Sequence, residues 1–204
     1  MQTIEDKIVS RIYGTGRGWC FTPNNFWDLG KPEAVRIALF RLVRKKTIRR
    51  LANGLYDYPR KHAQLGLLSP SSDAVARALS SRGAIRLQPS GAYAANLLGL
   101  SEQVPARIVY LTDGASRRVK IGGREIILRR TTPRNMATAN RISGTVIQAL
   151  KFIGKERLTT RHTEILRKKL TADDKKCLVK DRIYAPEWMH KWLMEVGRGT
   201  PPNA

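Results

Sequence analysis

The amino-acid sequence predicts an α+β fold, and three observations support this prediction. Apolar residues recur at helical spacing near both ends of the chain. Between them lie short strand-like segments joined by Asn-Gly, Asp-Gly and Gly-Gly, which are signals of tight turns. Apolar residues make up 42% of the 204 residues, so the chain can bury a core of one or two domains.

The first predicted helix spans residues 3–14. Thr3 is a suitable N-cap, and Asp6 stands at the third helical position, where it makes an acidic variant of the capping box. Isoleucines at four-residue intervals give this helix an apolar stripe, which we expect to pack against the helix predicted over residues 32–45.

Residues 21–59 contain the signals of a helix, a tight break and a second helix. Thr22 is an N-cap, and Pro23 suits the first helical position because its missing N–H would be unpaired there. Gly30 can adopt the positive φ that ends a helix, and Pro32 starts the next helix almost at once. This arrangement is a helix-turn-helix.

A hairpin follows the second helix. Residues 47–51 and 55–58 are predicted strands, and Asn53-Gly54 between them is the dipeptide that best suits a two-residue hairpin turn. Residues 1–68 are therefore predicted to form a winged helix-turn-helix, a DNA-binding arrangement.

The second helix has two contrasting faces. Its buried stripe is apolar, whereas the opposite face combines cationic and apolar side chains. Such a face suits the DNA major groove, where Arg binds guanine edges and apolar groups meet thymine methyls. The alternative is a solvated basic helix in a small α/β domain. The exposed face is predicted to hold Arg36, Ile37, Phe40, Arg41 and Arg44.

The candidate DNA-binding residues fall into three groups. The groove contacts are Arg36, Arg41 and Arg44; the phosphate contacts are Lys31, Arg49 and Arg50; the weaker candidates are Arg17, Thr22 and Asn53.

The chain is strongly basic, with 38 Lys and Arg against 16 Asp and Glu and a net charge of +22. Every segment shares the excess, which makes an extended polyanion the expected partner and a membrane surface the lesser option. No signal peptide or membrane span is evident in the sequence, so we expect a cytoplasmic protein.

The remainder of the chain is predicted as a small mixed α/β domain over residues 69–155 and a helical extension over residues 156–204. Pro89 is expected to break the chain after a strand. The tail, residues 197–204, is expected to be disordered. The predicted strands are 84–88, 106–111, 117–121 and 125–130. The predicted helices are one that starts within residues 69–73 and runs to about residue 81, 92–98, an apolar helix after residue 135, 160–169, 173–179 and 187–196.

No residue pattern indicates catalysis, a cofactor or a metal site. The glycine run at residues 14–18 lacks the Gly-Lys-Ser/Thr ending of a phosphate-binding loop. Cys20 and Cys177 are far apart and suggest no disulfide framework. Asp113 and Glu125, on neighbouring predicted strands, are the best carboxylate pair for a metal-dependent nuclease, which we consider an unfavoured alternative.

Two blocks of the sequence carry a family resemblance. The first block comprises residues 18–22, Leu29-Gly30, residues 38–42, residues 48–51, residues 54–56 and Pro59, and the second, more specific block is residues 89–114. These stretches resemble AbiEi-like antitoxins of bacterial type IV toxin–antitoxin systems, and the resemblance covers residues 1–155. One departure is Lys45-Lys46-Thr47, where winged domains often have glycine, so we expect the helix to end differently here.

The resemblance implies a two-part protein. Its winged helix would bind inverted repeats in its own promoter and repress the operon. Its second domain would counteract a nucleotidyltransferase-like toxin encoded beside it, without forming a stable complex. The alternative is a winged-helix transcriptional regulator with a sensing or dimerisation domain and no toxin.

Six basic residues lie on or beside the predicted strands of residues 117–130. They form either a second nucleic-acid surface or a solvated face, and the sequence leaves both open. They are Arg117, Arg118, Lys120, Arg124, Arg129 and Arg130.

Overall fold

The computed structural model describes residues 2–80 and 85–198, and it confirms the mixed α+β class. Two compact units are present: Met1–Ile85 with Arg117–Ile126, and Arg86–Ser116 with Ile127–Ala204. These units differ from the three predicted domains, because a helix and a hairpin from beyond residue 68 pack with the N-terminal elements. Three parts of the predicted elements lie outside the described residues: the C-terminal tail from residue 199, the helix end at residue 81 and the start of strand 84–88 at residue 84.

The first unit begins with a helix, a short strand, a 3₁₀ turn, a helix and a hairpin. The three strands form an antiparallel sheet in the order β1-β3-β2, in which Cys20 and Arg49 both lie opposite Asp57. The elements are α1 (Ile4–Thr15), β1 (Cys20–Phe21), the 3₁₀ turn Pro23–Phe26, α2 (Pro32–Arg44), β2 (Arg49–Ala52), β3 (Leu55–Asp57), β4 (Lys61–His62), β5 (Gly66–Leu67) and α3 (Ser72–Ser80).

The predicted packing of α1 against α2 is confirmed. The Thr3 hydroxyl accepts from the Asp6 N–H, and the Asp6 carboxylate accepts in return, which completes the capping box. The apolar stripes of the two helices then meet in one core. Its fully buried members include Ile8, Ile12, Phe21, Phe26, Val35, Leu39 and Leu42.

The short helix predicted after Thr22 is a 3₁₀ helix of four residues, Pro23–Phe26. The Asn25 side chain accepts from the Thr22 N–H and closes the turn locally, in competition with a longer helix. Gly30 does not adopt a positive φ. A Cβ there would lie 2.6 Å from Cδ1 of Ile4, so the end of the Ile4 side chain would have to shift to accommodate another residue.

The end of α2 also differs from expectation. Lys46 adopts φ 57°, the left-handed conformation that we expected lysine to avoid. Its N–H bonds to the Val43 carbonyl, and the Thr47 N–H bonds to the Leu42 carbonyl. This pair of bonds is the Schellman motif, normally completed by glycine.

Residues 59–68 contain the β4–β5 hairpin. Both strands are exposed and two residues long, so no buried face imposes the alternation that predicts strands from sequence.

The second unit and the β8–β9 hairpin contain a four-stranded sheet in the order β6-β7-β9-β8. Pro89 lies within β6 and does not break the chain before it, because β6 is an edge strand and proline can sit where no ladder N–H is needed. The elements are β6 (Leu87–Ser90), α4 (Gly91–Leu97), β7 (Arg107–Thr112), β8 (Arg117–Ile121), β9 (Arg124–Arg130), α5 (Pro133–Met136), α6 (Ile142–Ile153), α7 (Thr160–Lys169), α8 (Ala172–Asp181) and α9 (His190–Gly197).

Helix α6 is the centre of the second unit's core. Val146, Ile147 and Leu150 are buried on it, and they belong to the same cluster as Leu166 of α7 and Leu193 of α9. The helices predicted as a C-terminal extension are therefore part of this core. Within the described ranges, no helix is long and apolar enough to cross a membrane.

Candidate nucleic-acid interface

The outer face of α2 has the composition expected from the sequence. Ile37 and Phe40 are 53% and 61% exposed. Arg36, Arg41 and Arg44 are exposed beside them. Among residues 2–80 and 85–198, none of these three guanidinium groups has a hydrogen-bond or ion-pair partner.

The β2–β3 hairpin presents two further candidates at its tip. Arg50 and Asn53 are exposed, and the Arg50 guanidinium donates to Oδ1 of Asn53 at 3.0 Å. Gly54, which follows, has φ 69° and closes the turn. Lys31 is exposed at the N-cap position of α2.

Arg49 is directed into the fold, in contrast to Arg50. Its Nε and Nη2 donate to the two carboxylate oxygens of Asp57 at 3.0 and 2.6 Å, and Nη2 also donates to the Leu68 carbonyl at 2.7 Å. Asp57 is only 1% exposed, and its hydrogen bonds raise the pKa of the Arg49 guanidinium. Arg49 therefore stabilises the hairpin, and its role as a phosphate contact stays a prediction.

Two of the weaker candidates also have their polar groups engaged in contacts within the fold. Thr22 is 7% exposed, and its hydroxyl lies 3.3 Å from Oδ1 of Asn25 within the 3₁₀ turn. The Arg17 guanidinium donates to the Pro59 carbonyl at 2.9 Å and lies 4.6 Å from the centroid of the Tyr58 ring. Both side chains thus contribute to folding.

The six basic residues of β8 and β9 are all exposed, as either hypothesis about them requires. Two of them have partners: Nε of Arg118 lies 3.3 Å from Glu125, and the Arg117 guanidinium donates to the Leu79 carbonyl at 3.4 Å.

The carboxylates considered for metal binding take part in ion pairs. Asp113 accepts from both the backbone and the guanidinium of Arg86, and these hydrogen bonds lower the pKa of its carboxyl group. Glu125 is paired with Arg118. The described part of the chain contains no group of three or more metal-binding side chains.

The first unit also contains a cavity of about 830 Å³ that no sequence pattern indicates. Four arginines line it, and each comes from a different place: Arg17 after α1, Arg60 after β3, Arg77 on α3 and Arg124 on β9. Because these positions are scattered along the chain, only the folded structure brings them together.

The model of DUF6088, a family of unknown function, matches residues 6–178. The chain belongs to DUF6088. The match continues through α7 and most of α8. No curated protein matches the chain.

Proposed function

We propose that this DUF6088 member binds double-stranded DNA through a winged helix in its first unit, with α2 in the major groove. The observation that carries the proposal is the outer face of α2. It places three exposed arginines beside Ile37 and Phe40, and no described residue pairs with those arginines. Long cationic and apolar side chains on one helix match the guanine edges and thymine methyl groups of the groove.

The order of elements supports this proposal. A helix, a strand, a turn, a second helix and a hairpin follow one another, and β1 completes the hairpin sheet by pairing with β3. A winged helix has this order of elements, with a 3₁₀ turn here in place of one helix. The hairpin tip with Arg50 and Asn53 is the wing in this proposal.

The proposed contacts are a subset of the residues predicted from sequence. Arg36, Arg41 and Arg44 read the groove, while Lys31 and Arg50 bind phosphates with help from Asn53. Arg49, Thr22 and Arg17 are left out because their polar groups are used within the fold.

A mobility-shift assay with the promoter region of the chain's own gene tests this proposal. The variant R41A/R44A should bind at least about tenfold more weakly, since each base contact contributes about 1–3 kcal/mol. R161A is the matched control, because Arg161 is an exposed arginine on α7 in the second unit. Unchanged binding by R41A/R44A would show that α2 is not the recognition helix.

We further propose that the chain is an antitoxin, not an enzyme, that represses its own operon and counteracts a nucleotidyltransferase-like toxin without forming a stable complex with it. The resemblance at residues 89–114 supports this role, and that stretch forms the end of β6, α4 and β7 within the second unit. Co-expression with the adjacent gene should restore growth if that gene encodes the toxin. DNA binding without growth rescue would favour the plain transcriptional regulator.

A further inference from the structure

We propose that the arginine-lined cavity of the first unit binds a phosphate-bearing small molecule of nucleotide size. This proposal does not rest on DNA binding by α2, because none of the proposed groove arginines lines the cavity. Its support comes from the charge of the lining, the availability of the arginines, and the size and apolar content of the space.

The lining has an excess of positive charge. Of the described residues that line the cavity, four are arginines and one, Asp57, is acidic. Both oxygens of Asp57 already accept hydrogen bonds from Arg49, which is not part of the lining. The negative charge is therefore compensated from outside, and the four arginines face the cavity without an opposing carboxylate.

Two of these arginines have no side-chain partner in the part of the chain that the structure describes. They are Arg77 on α3 and Arg124 on β9. A guanidinium group has five N–H donors arranged to match phosphate oxygens, and such charge-assisted bonds are among the strongest in proteins. An anion in the cavity would supply the missing acceptors.

Arg60 is held at the cavity by the glycine run. Its Nε donates to the Arg17 carbonyl at 3.2 Å, which leaves its terminal nitrogens for another acceptor. A Cβ at Gly18 would lie 2.5 Å from that Nε, and Gly18 itself has φ 93°. Glycine at this position therefore allows the guanidinium to lie against the backbone.

The remaining lining explains why we infer an organic phosphate and not a free ion. Trp19, Leu68, Val75 and Ile121 add apolar surface to the cavity. The volume of about 830 Å³ falls within the range of sites for organic ligands, roughly 300–1,000 Å³. Inorganic phosphate would leave most of this space and all of its apolar surface without a partner.

Isothermal titration calorimetry on the full chain tests the proposal, with ATP, AMP, adenosine and inorganic phosphate as probes. We expect ATP or AMP to bind, adenosine not to bind, and phosphate to bind more weakly than either nucleotide. The variant R77A/R124A should weaken nucleotide binding by about tenfold or more, because it removes two charge-assisted contacts. The matched control is R129A, which removes an exposed arginine from the same strand as Arg124 but outside the cavity.

Three results would overturn the proposal: no binding of either nucleotide, equal binding by the wild type and R77A/R124A, or equal weakening by R129A. Circular dichroism and thermal unfolding should show that R77A/R124A is folded. R41A/R44A separates this proposal from DNA recognition, since it should lose promoter binding and keep nucleotide binding. If neither nucleotide binds and R77A/R124A loses promoter DNA instead, the cavity is part of a DNA surface and the small-molecule site is wrong.

Discussion

At the scale of single residues, Lys46 adopts a sterically unfavourable backbone conformation at the end of α2. A left-handed residue other than glycine places its Cβ too close to the following carbonyl. Lys46 nevertheless occupies that conformation, because the Schellman bonds to Val43 and Leu42 satisfy two carbonyls at the end of the helix. The helix thus ends in the usual way with an unusual residue.

K46G should raise the free energy of unfolding by about 1 kcal/mol, since glycine adopts positive φ without a steric cost. Urea denaturation of both proteins measures the difference. K46A is the control, because it removes the same side chain and keeps the Cβ, so it should give no such gain. A K46G protein no more stable than K46A would show that Lys46 is not strained.

At the scale of one element, the β2–β3 hairpin separates two adjacent arginines by function. Successive residues of a strand point to opposite faces. Arg49 therefore reaches the buried Asp57, while Arg50 reaches Asn53 at the exposed tip. One arginine stabilises the hairpin, and the other is available to a ligand.

R49A should lower the free energy of unfolding by about 3 kcal/mol, because it leaves the Asp57 carboxylate buried without its ionic partner. R50A is the matched comparison and should change stability by less than about 0.5 kcal/mol. Thermal and urea unfolding measure both effects. If R49A kept full stability and lost only DNA affinity, Arg49 would belong among the phosphate contacts after all.

At the scale of the whole molecule, the charge of +22 makes the few carboxylates important for stability. Asp28 and Asp113 accept hydrogen bonds from Arg11 and Arg86, which lower the pKa of each carboxyl group below its ordinary value. In the acid range the unfolded chain therefore binds protons that the folded chain does not. The contribution of the two carboxylates to stability is complete above their pKa in the unfolded chain, and it is lost as the pH falls through their pKa in the folded chain.

We therefore expect the thermal midpoint to decrease as the pH is lowered from 7 to about 3. The variant D28N/D113N should begin from a lower midpoint at pH 7 and lose less on acidification, since its side chains at these positions do not titrate. Calorimetry at a series of pH values measures both slopes. Parallel slopes for the two proteins would mean that these ion pairs do not contribute to the acid sensitivity.

Local signals in the sequence were sufficient to predict many of the elements. Thr3 with Asp6 caps its helix as a capping box does, and β8 and α7 occupy their predicted residues. Capping, turn dipeptides and apolar periodicity act over a few residues, so the sequence shows them directly. The two faces of α2 were predictable for the same reason.

The use of each arginine, by contrast, depends on contacts that only folding creates. Arg49 finds its acceptors 8 and 19 residues away, and Arg17 finds a carbonyl 42 residues away. The cavity joins four arginines from separate elements, and Pro89 is acceptable in a strand because β6 lies at a sheet edge. A charged side chain has no partner until the folded backbone brings one within hydrogen-bonding distance. Only the tertiary structure therefore distinguishes the arginines that stabilise the fold from those available to a ligand.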